Sequence, residues 1–455
     1  MKKLKFDIFF LFLLLFSIIF LSNSINLDAK RKTRVRTSNF TIKKEEIKKD
    51  TLLSEGVIYQ NLWLGDGKNH FSIHLLKVDL KNPNNQLFIG KSGNHIAGLT
   101  GFLEYLEVEN SNEHIYGMVN GSFWSAYNNH PIGSTFIQGE ILVMDQYKKW
   151  SSLFLDKNCI PYIDNFDISG TIFYKNYELP INYTNKRRDS LGLAYYNHFY
   201  GDTIPFVKTR SIEKAIDSAY KEWFKEMEEF LADDDTELKF DTLSYIEEIK
   251  NSIRQSQLEA KTRKYLCEYL DNPIINKSYK VIVRKYSDSI IEIPKKHCVI
   301  SLGLDFPPFI NPIVGDTISV LFQTNIHQNI EFYCGLSGTP SIANDGIYLH
   351  KAQSEGNTGR RFINSQLTRT LVGYDKNKDT LYLIAVAGTN SANKQYGANM
   401  KDLEKIAKHF KMYDAINLDG GGSTTFVVGK KNIIRSSNPT TSRKLSVFLG
   451  VKKKK

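Results

Sequence analysis

The chain has few cysteines and lacks the short motifs of the commonest hydrolases. Its 455 residues contain four widely spaced cysteines, Cys159, Cys267, Cys298 and Cys334, and no Cys-x-x-Cys pair. A zinc ribbon and a dithiol redox motif are therefore excluded, and disulfide pairing stays open. Neither Gly-x-Ser-x-Gly nor His-Glu-x-x-His occurs, so the usual serine-hydrolase and zinc-protease signatures are absent. Gly429-Lys430-Lys431 lacks the spacing of a phosphate loop, and nucleotide hydrolysis is not supported.

Long apolar runs are also scarce, and the one that is present lies at the N-terminus. Met1–Lys5 is basic, Phe6–Leu21 is mostly Phe, Leu and Ile, and Ser22–Ser24 offers small residues for cleavage. This pattern predicts a signal peptide over residues 1–24 and a protein that is secreted, periplasmic or in the cell envelope. An uncleaved signal is the membrane attachment that the sequence leaves open.

The net charge of +11 comes partly from two basic segments, residues 30–36 and 452–455. Aromatic residues are not interleaved with these charges, so nucleic acid is not an expected partner. We predict a solvated basic linker over residues 25–55 and a basic tail over 452–455, with contact to an anionic envelope polymer as the alternative. Nothing in the sequence indicates an oligomeric state.

Hydrophobic periodicity predicts an α+β fold, a mixed and mostly β-sheet catalytic domain with packed helices. Phe71–Leu80 and Thr380–Ala387 are apolar runs typical of buried strands. Lys401–Phe410 carries apolar residues at helical spacing and predicts an amphipathic helix. The domain is expected to span residues 56–451 and to bring its N-terminal and C-terminal strands into one core.

A charged segment, Val207–Ser278, interrupts this pattern. Two stripes of apolar residues at helical spacing predict two helices within it. A helical hairpin packed outside the sheets is one interpretation, and a lid or partner-binding arm is the other. We expect the insertion to gate or extend a substrate site without supplying catalytic groups.

Three consecutive glycines, Gly420–Gly422, follow Asp419 near the C-terminus. The apolar run Ala415–Leu418 precedes them and the β-branched run Thr424–Val428 follows. Glycine between strands is costly in backbone entropy unless the chain turns tightly or approaches another group closely. An Asp with neighbouring hydroxyls at such a turn suits a polar ligand, although Asp-Gly is also a common hairpin signal.

The sequence AINLDGGGSTTFVV around this turn resembles the signature of the phosphodiester glycosidase family. Four further blocks follow the family's order: GMVNGSFW, GLSGTPSIANDG, TRTLVGYD and LYLIAVAGTN. Arg443 stands where the family has an arginine before its last strand. The resemblance runs with gaps from about Gly56 to Val451, and within it Asp345-Gly346 has the character of a structural turn.

This resemblance implies an enzyme, a hydrolase that cleaves the sugar–phosphate bond of sugar-1-phosphodiesters. N-acetylglucosamine-type compounds and envelope polymers or exopolysaccharides are the substrate classes it suggests, so a phosphorylated sugar or polysaccharide is the expected partner. Phosphate is a weakly basic leaving group, so the reaction asks for cations at the phosphate and a carboxylate at the sugar carbon. A non-catalytic protein of glycan binding or envelope assembly is the alternative on the same fold.

The resemblance also nominates the site residues. Asp419 is the expected catalytic carboxylate, as nucleophile, base or oxocarbenium stabiliser, unless it only caps a turn. Arg369 is expected to bind phosphate, unless it forms a surface salt bridge. Asn120 is expected to contact sugar hydroxyls, with a buried turn amide as the equal alternative. The secondary candidates for substrate binding are Gly121, Ser122, Asn417, Gly420, Gly421, Gly422, Ser423, Thr424 and Arg443. No cofactor is predicted. A carboxylate beside glycine-turn carbonyls could hold Ca²⁺, but one carboxylate does not complete a site, and metal dependence stays open.

Overall fold

Antiparallel strands dominate the structure, as the fold prediction requires. The computed structural model describes residues 40–91, 95–109, 114–125, 128–186, 192–204, 221, 247, 250, 261–434 and 443–454. In chain order its strands are β1 (Lys44–Ser54), β2 (Val57–Gly65), β3 (His70–Asp79), β4 (Asn85–Lys91), β5 (Ile115–Asn120), β6 (Thr135–Ile137), β7 (Glu140–Val143), β8 (Ser151–Asp156), β9 (Pro161–Asp164), β10 (Ile168–Tyr174), β11 (Tyr177–Ile181), β12 (Tyr183–Thr184), β13 (Leu193–Asn197), β14 (Thr203–Ile204), β15 (Arg263–Tyr269), β16 (Tyr279–Ser287), β17 (Ile291–Glu292), β18 (His297–Leu302), β19 (Thr317–Thr324), β20 (Phe332–Gly338), β21 (Ser341–Ala343), β22 (Arg369–Tyr374), β23 (Thr380–Val386), β24 (Asp414–Asn417), β25 (Phe426–Val428), β26 (Lys431–Asn432) and β27 (Val447–Lys453). The described α-helices are α1 (Phe102–Glu109), α2 (Arg360–Asn364) and α3 (Met400–His409), with 3₁₀ turns at Ser391–Asn393 and Gly421–Ser423. The prediction of a mixed, mostly β fold is confirmed.

A seven-stranded antiparallel sheet forms the centre of the site-bearing region, in the order β1-β2-β3-β23-β22-β24-β21. One of its faces packs on α3 through Leu403 and Ile406, which belong to the same buried cluster as Leu371. Asn399 caps α3, and its capping box with Asp402 fixes where the helix begins. The predicted strands near β3 and β23 and the predicted helix at α3 are therefore confirmed.

The other face of this sheet packs against two five-stranded sheets. Their orders are β26-β25-β5-β27-β4 and β7-β6-β20-β8-β9. Val119 of β5 and Ile416 of β24 lie in one hydrophobic cluster, and each is followed by the last residue of its strand. The turns after Asn120 and after Asn417 consequently emerge from one core. An eight-stranded sheet, β11-β10-β19-β16-β15-β18-β13-β12, and the pair β14-β17 complete the described strands.

Two sequence boundaries differ from the structure. Lys44–Ser54, expected within a linker, is strand β1 at the edge of the seven-stranded sheet and pairs with β2. Its charged residues are exposed, so it gains its order from backbone pairing and carries no alternating apolar signal. Arg263–Tyr269, expected within the helical insertion, is strand β15 between β16 and β18. The insertion therefore ends before Arg263, because Tyr265 and Cys267 are needed in a buried sheet face.

Several predictions fall on residues outside those described. They are the signal peptide, residues 25–39 of the basic linker, the two helices of the insertion apart from Lys221, Glu247 and Lys250, and the last residue of the tail. Within the described ranges, no helix has the length and hydropathy that a membrane span requires.

Candidate functional site

Asp419 lies in a turn that two neighbouring segments hold in place. Leu418 donates its N–H to the carbonyl of Thr370 at 2.9 Å, and Gly421 donates to the carbonyl of Thr368 at 2.9 Å. The Thr368 hydroxyl returns a bond of 2.7 Å to the Gly421 carbonyl. Gly421 has a φ of +57°, a left-handed conformation that favours glycine. The turn is therefore a rigid support rather than a loose connection.

The turn after β5 closes the opposite side of the site. Asp419 donates its N–H to the Gly121 carbonyl at 3.3 Å, and Gly121 donates to the Val447 carbonyl at 2.9 Å. A Cβ on Gly121 would lie 2.7 Å from Cγ2 of Val447 and 3.0 Å from its carbonyl oxygen. Gly121 thus permits a close approach of its backbone to Val447.

The Asp419 carboxylate lies in a recess. The residue is partly exposed, yet burial raises its pKa to about 6. Hydrogen bonds from the Ser423 hydroxyl and from the Gly420 N–H, at 2.8 Å to Oδ1, oppose that shift. The positive charges of Arg443 and Arg369 oppose it as well. The site therefore holds a carboxylate whose pKa burial raises to about 6, and whose charged form two arginine side chains favour.

Arg369 is deeply buried rather than part of a surface salt bridge. It is 2% exposed, and burial lowers the pKa of its guanidinium to about 10. Its Nε donates to the carbonyl of Ala398 at 3.0 Å, and its Nη2 donates to those of Phe362 and Ser365 at 2.8 and 3.1 Å. These bonds occupy the fork that was expected to hold phosphate. Nη1 makes no hydrogen bond to any residue that the structure describes. It is therefore the nitrogen of this guanidinium that remains for a ligand.

Asn120 is committed to internal hydrogen bonds. Its Nδ2 donates to the backbone carbonyl of Asp419 at 2.7 Å. Its Oδ1 accepts from the Thr370 hydroxyl at 2.7 Å and from the Thr425 N–H at 3.0 Å. Both acceptor positions of the amide oxygen are therefore used. This arrangement favours a positioning role for Asn120, which ties three segments to the Asp419 turn, over the sugar contact expected from the sequence.

Several buried polar atoms beside the turn lack a partner among the described residues. Asn417 donates from Nδ2 to the Thr339 carbonyl at 2.7 Å, but its Oδ1 is unpaired. The hydroxyls of Ser122 and Thr424 are buried and unpaired as well. An unsatisfied buried polar group is costly, so each of these atoms calls for water or a ligand. All three residues are among the substrate-binding candidates that the sequence predicts.

An aromatic pair next to Arg369 was missed at the level of sequence. The rings of Phe123 and Phe362 lie 6.1 Å apart, and the Phe362 ring lies 5.4 Å from the Arg369 guanidinium carbon. Both phenylalanines are partly exposed. Phe123 is inside the block that contains Asn120, whereas Phe362 lies in the short helix α2 and has no local signal. The pair offers an apolar surface beside the charged groups.

A second buried carboxylate lies behind the site. Glu355 is 2% exposed and accepts hydrogen bonds from Ser151 Oγ at 2.7 Å, Thr339 Oγ1 at 2.7 Å and the Ser341 N–H at 3.0 Å. Burial raises its pKa. Because Thr339 also exchanges hydrogen bonds with Asn417, Glu355 supports the strand that leads to Asp419.

No group of three or more His, Cys, Asp or Glu side chains suited to a metal occurs among the described residues.

Comparison with known proteins agrees with the sequence resemblance. Residues 312–452 match the family model described as phosphodiester glycosidase. The N-acetylglucosamine-1-phosphodiester alpha-N-acetylglucosaminidase of Bos taurus is 36% identical over 94 residues, which are 19% of this chain and 17% of the bovine protein. The Homo sapiens protein of that name is 33% identical over 94 residues, 19% of this chain and 18% of its own length. The match thus spans less than a fifth of these relatives.

A solved structure shows the same fold over most of the chain. A hypothetical protein from Synechocystis has a TM-score of 0.60 at 16% sequence identity, covering 90% of this chain and 64% of that one. At this identity the likeness concerns the fold alone.

Proposed function

We propose that this chain, whose residues 312–452 belong to the phosphodiester glycosidase family, is a secreted hydrolase of sugar-1-phosphodiesters. The observation that carries the proposal is the partly exposed Asp419 carboxylate, whose pKa of about 6 is set by burial and opposed by the positive charges of Arg443 and Arg369. Perturbed carboxylates in recesses of this kind are characteristic of catalytic sites. The family match supports the choice of reaction.

In the proposed reaction the bond between the anomeric carbon and the phosphate oxygen breaks. The phosphate monoester leaves with the bonding electrons, and a water oxygen ends on the sugar carbon. Asp419 faces the positive charge that develops on the sugar, while Arg443 and Nη1 of Arg369 face the phosphate. A weakly basic phosphate needs little protonation to leave, so one carboxylate and two cations meet the main demands of the reaction.

The proposed substrate is a phosphodiester of an N-acetylglucosamine-type sugar, or such a unit in an envelope polymer or exopolysaccharide. Phe123 and Phe362 supply an apolar surface on which a sugar ring can stack. The unpaired Asn417 Oδ1, Ser122 Oγ and Thr424 Oγ1 supply hydrogen-bonding atoms for sugar hydroxyls. These groups support a sugar ligand, and the name of the bovine relative supports the choice of sugar.

A panel of sugar-1-phosphodiesters tests this function directly. Purified protein is incubated with α- and β-anomers of N-acetylglucosamine, glucose and mannose 1-phosphodiesters, and free sugar is measured by chromatography. We expect free sugar and phosphomonoester in equal amounts from at least one compound. Glycan binding without turnover of any compound would favour the non-catalytic alternative instead.

Turnover should depend on the ionisation of Asp419. The carboxylate must be charged to stabilise a cationic sugar, so kcat/KM should rise as the pH increases through about 6, the pKa of Asp419. Arg443 lowers that pKa, so Arg443→Gln should move the acid limb of the profile to higher pH. The pH–rate profiles of both proteins give the measurement.

The same ionisation makes an opposite prediction for stability. Because the pKa of Asp419 is higher in the folded chain than its usual value of about 4, the folded state binds more protons between about pH 4 and 6. The contribution of this group to the free energy of unfolding therefore falls as pH rises through that window.

The pH–rate profile provides the test of the kinetic prediction. If its acid limb stays in place in folded Arg443→Gln, the limb does not report Asp419.

A further inference from the structure

Two cysteines face each other across the eight-stranded sheet. Cys267 of β15 is the direct partner of Cys298 of β18 in the antiparallel register of these strands. Residues paired in this way have their side chains on the same face of a sheet. Both cysteines are fully buried and belong to one hydrophobic cluster, so both side chains point into the same core. Both are free thiols in the structure.

This pairing meets the backbone requirement of a disulfide bond. Directly opposed residues of an antiparallel pair have Cα atoms about 4.5–5.5 Å apart, and disulfides join residues whose Cα atoms are about 4.4–6.8 Å apart. The Cβ atoms must approach each other slightly, to about 4 Å. The register of β15 against β16 shifts between Leu266 and Cys267, and strands bend at such irregularities. The bond therefore asks for a local adjustment of β15 and leaves the sheet intact.

The other two cysteines have no such partner. Cys334 of β20 lies opposite Leu155 of β8. Cys159 lies in the turn between β8 and β9, and its Sγ donates to the Leu87 carbonyl at 3.7 Å. Neither of them lies opposite a cysteine in any strand pair that the structure describes. The four thiols thus divide into one facing pair and two that are not paired across strands.

The facing pair lies where the chain returns from the predicted insertion. Strand β13 precedes the insertion, β15 follows it, and both pair with β18, which lies between them. Cys298 is the partner of Asn197 on one side and of Cys267 on the other. A bond between the two cysteines would hold the return strand to the central strand at the base of the insertion.

We propose that Cys267 and Cys298 form a disulfide bond when the chain folds in an oxidising compartment, and that this bond is a stabilising clip. The co-reactant is a disulfide, of a small thiol or of an oxidoreductase. Each cysteine gives up its proton and the new S–S bond forms. The co-reactant accepts the two electrons and both protons, its own S–S bond breaks, and it leaves as two thiols.

The bond is expected to form during folding. Burial raises the pKa of the Cys267 thiol in the folded chain, and the thiolate is the reactive form, so oxidation slows once the core has closed. This inference goes beyond the proposed function, because no step of the reaction at Asp419 depends on it.

Counting free thiols tests the bond. The full chain is exported to a bacterial periplasm, which oxidises thiols, and a second sample is made in the reducing cytoplasm. Each purified protein is unfolded in urea with an alkylating reagent, and its peptides are mapped by mass spectrometry without reductant. The same is done for Cys159→Ser/Cys334→Ala, which keeps the facing pair, and for Cys267→Ala/Cys298→Ala, which removes it.

We expect periplasmic wild type to carry alkyl groups on Cys159 and Cys334 alone, with Cys267 and Cys298 in linked peptides. The cytoplasmic sample should be alkylated at all four cysteines. Free thiols at Cys267 and Cys298 in folded periplasmic protein, or a link that uses Cys159 or Cys334, would overturn the proposal. If Cys267→Ala/Cys298→Ala does not fold, Cys159→Ser/Cys334→Ala decides, because an intramolecular disulfide in that variant can only join Cys267 to Cys298.

Melting temperature tests the role as a clip. A bond from Cys267 to Cys298 closes a loop of about 30 residues and restricts the unfolded chain, so oxidised protein should melt roughly 3–6 °C higher than reduced protein. The same difference is expected in Cys159→Ser/Cys334→Ala. Equal melting temperatures of oxidised and reduced protein would overturn the stabilising role. Turnover enters neither measurement, so both stand whether or not Asp419 is catalytic.

Discussion

Asp419→Asn is expected to lower kcat by roughly 10²–10³-fold or more while leaving the protein folded. The substitution keeps the shape of the side chain and removes its negative charge. In the proposed reaction the negative charge stabilises the transition state more than it stabilises the bound substrate. The KM should therefore change much less than kcat. Steady-state kinetics on whichever sugar-1-phosphodiester is turned over give the measurement.

Asp345→Asn is the matched control, because Asp345 is also followed by glycine. Asp345 is exposed and has a φ of +51°, which Asn tolerates, so this variant should keep turnover and stability. At pH 7 Asp419→Asn should melt no lower than wild type, because it removes the charge of a carboxylate whose ionisation burial disfavours. Near-normal turnover in folded Asp419→Asn would show that Asp419 is only a turn residue.

Local sequence was sufficient wherever a pattern and its structure lie in the same few residues. The glycine run after Asp419 predicted a tight turn, and Gly421 indeed has a left-handed φ. Helical spacing predicted α3, because one face of that helix is buried. A continuous apolar run predicted β23, because that strand is buried along most of its length. The family resemblance then brought Asn120, Arg369 and Asp419 into one hypothesis.

Long-range contacts set the actual role of each residue, and no local pattern contains them. The carbonyls that hold Arg369 come from Phe362, Ser365 and Ala398, and the last of these lies 29 positions away in sequence. Asn120 bonds to segments 250 and more positions away. An Arg-Thr pair or an Asn-Gly pair looks the same in sequence whether its side chain binds a ligand or braces the backbone.

Strand β15 was missed for a different reason. Arg263–Tyr269 does contain the alternation of a strand, with Tyr265 and Cys267 on a buried face. The predicted insertion, Val207–Ser278, includes this strand because the first helix terminator after the helical pattern is Pro273, ten residues after the strand begins.

Arg369→Lys is expected to lower both stability and turnover, although it preserves the positive charge. A lysine ammonium cannot reach the carbonyls of Ala398, Phe362 and Ser365 together, because those bonds need the planar, forked guanidinium. Leaving buried carbonyls unpaired should cost about 3 kcal/mol in the free energy of unfolding. Displacement of the charge that faces Asp419 should lower kcat/KM by roughly 10²-fold and raise the pKa of the acid limb.

Arg443→Lys is the comparison that separates charge from geometry. Arg443 also acts on Asp419 through its charge, but it is more exposed than Arg369, so a lysine there should keep most of the stability and a larger share of turnover. Urea unfolding and pH–rate profiles are measured for both variants. Equal losses in the two would mean that the buried bonds of Arg369 do not position its charge. Normal stability and turnover in Arg369→Lys would show that a fixed guanidinium is not needed here. That result would contradict the proposed role of Arg369 in stabilising the leaving phosphate.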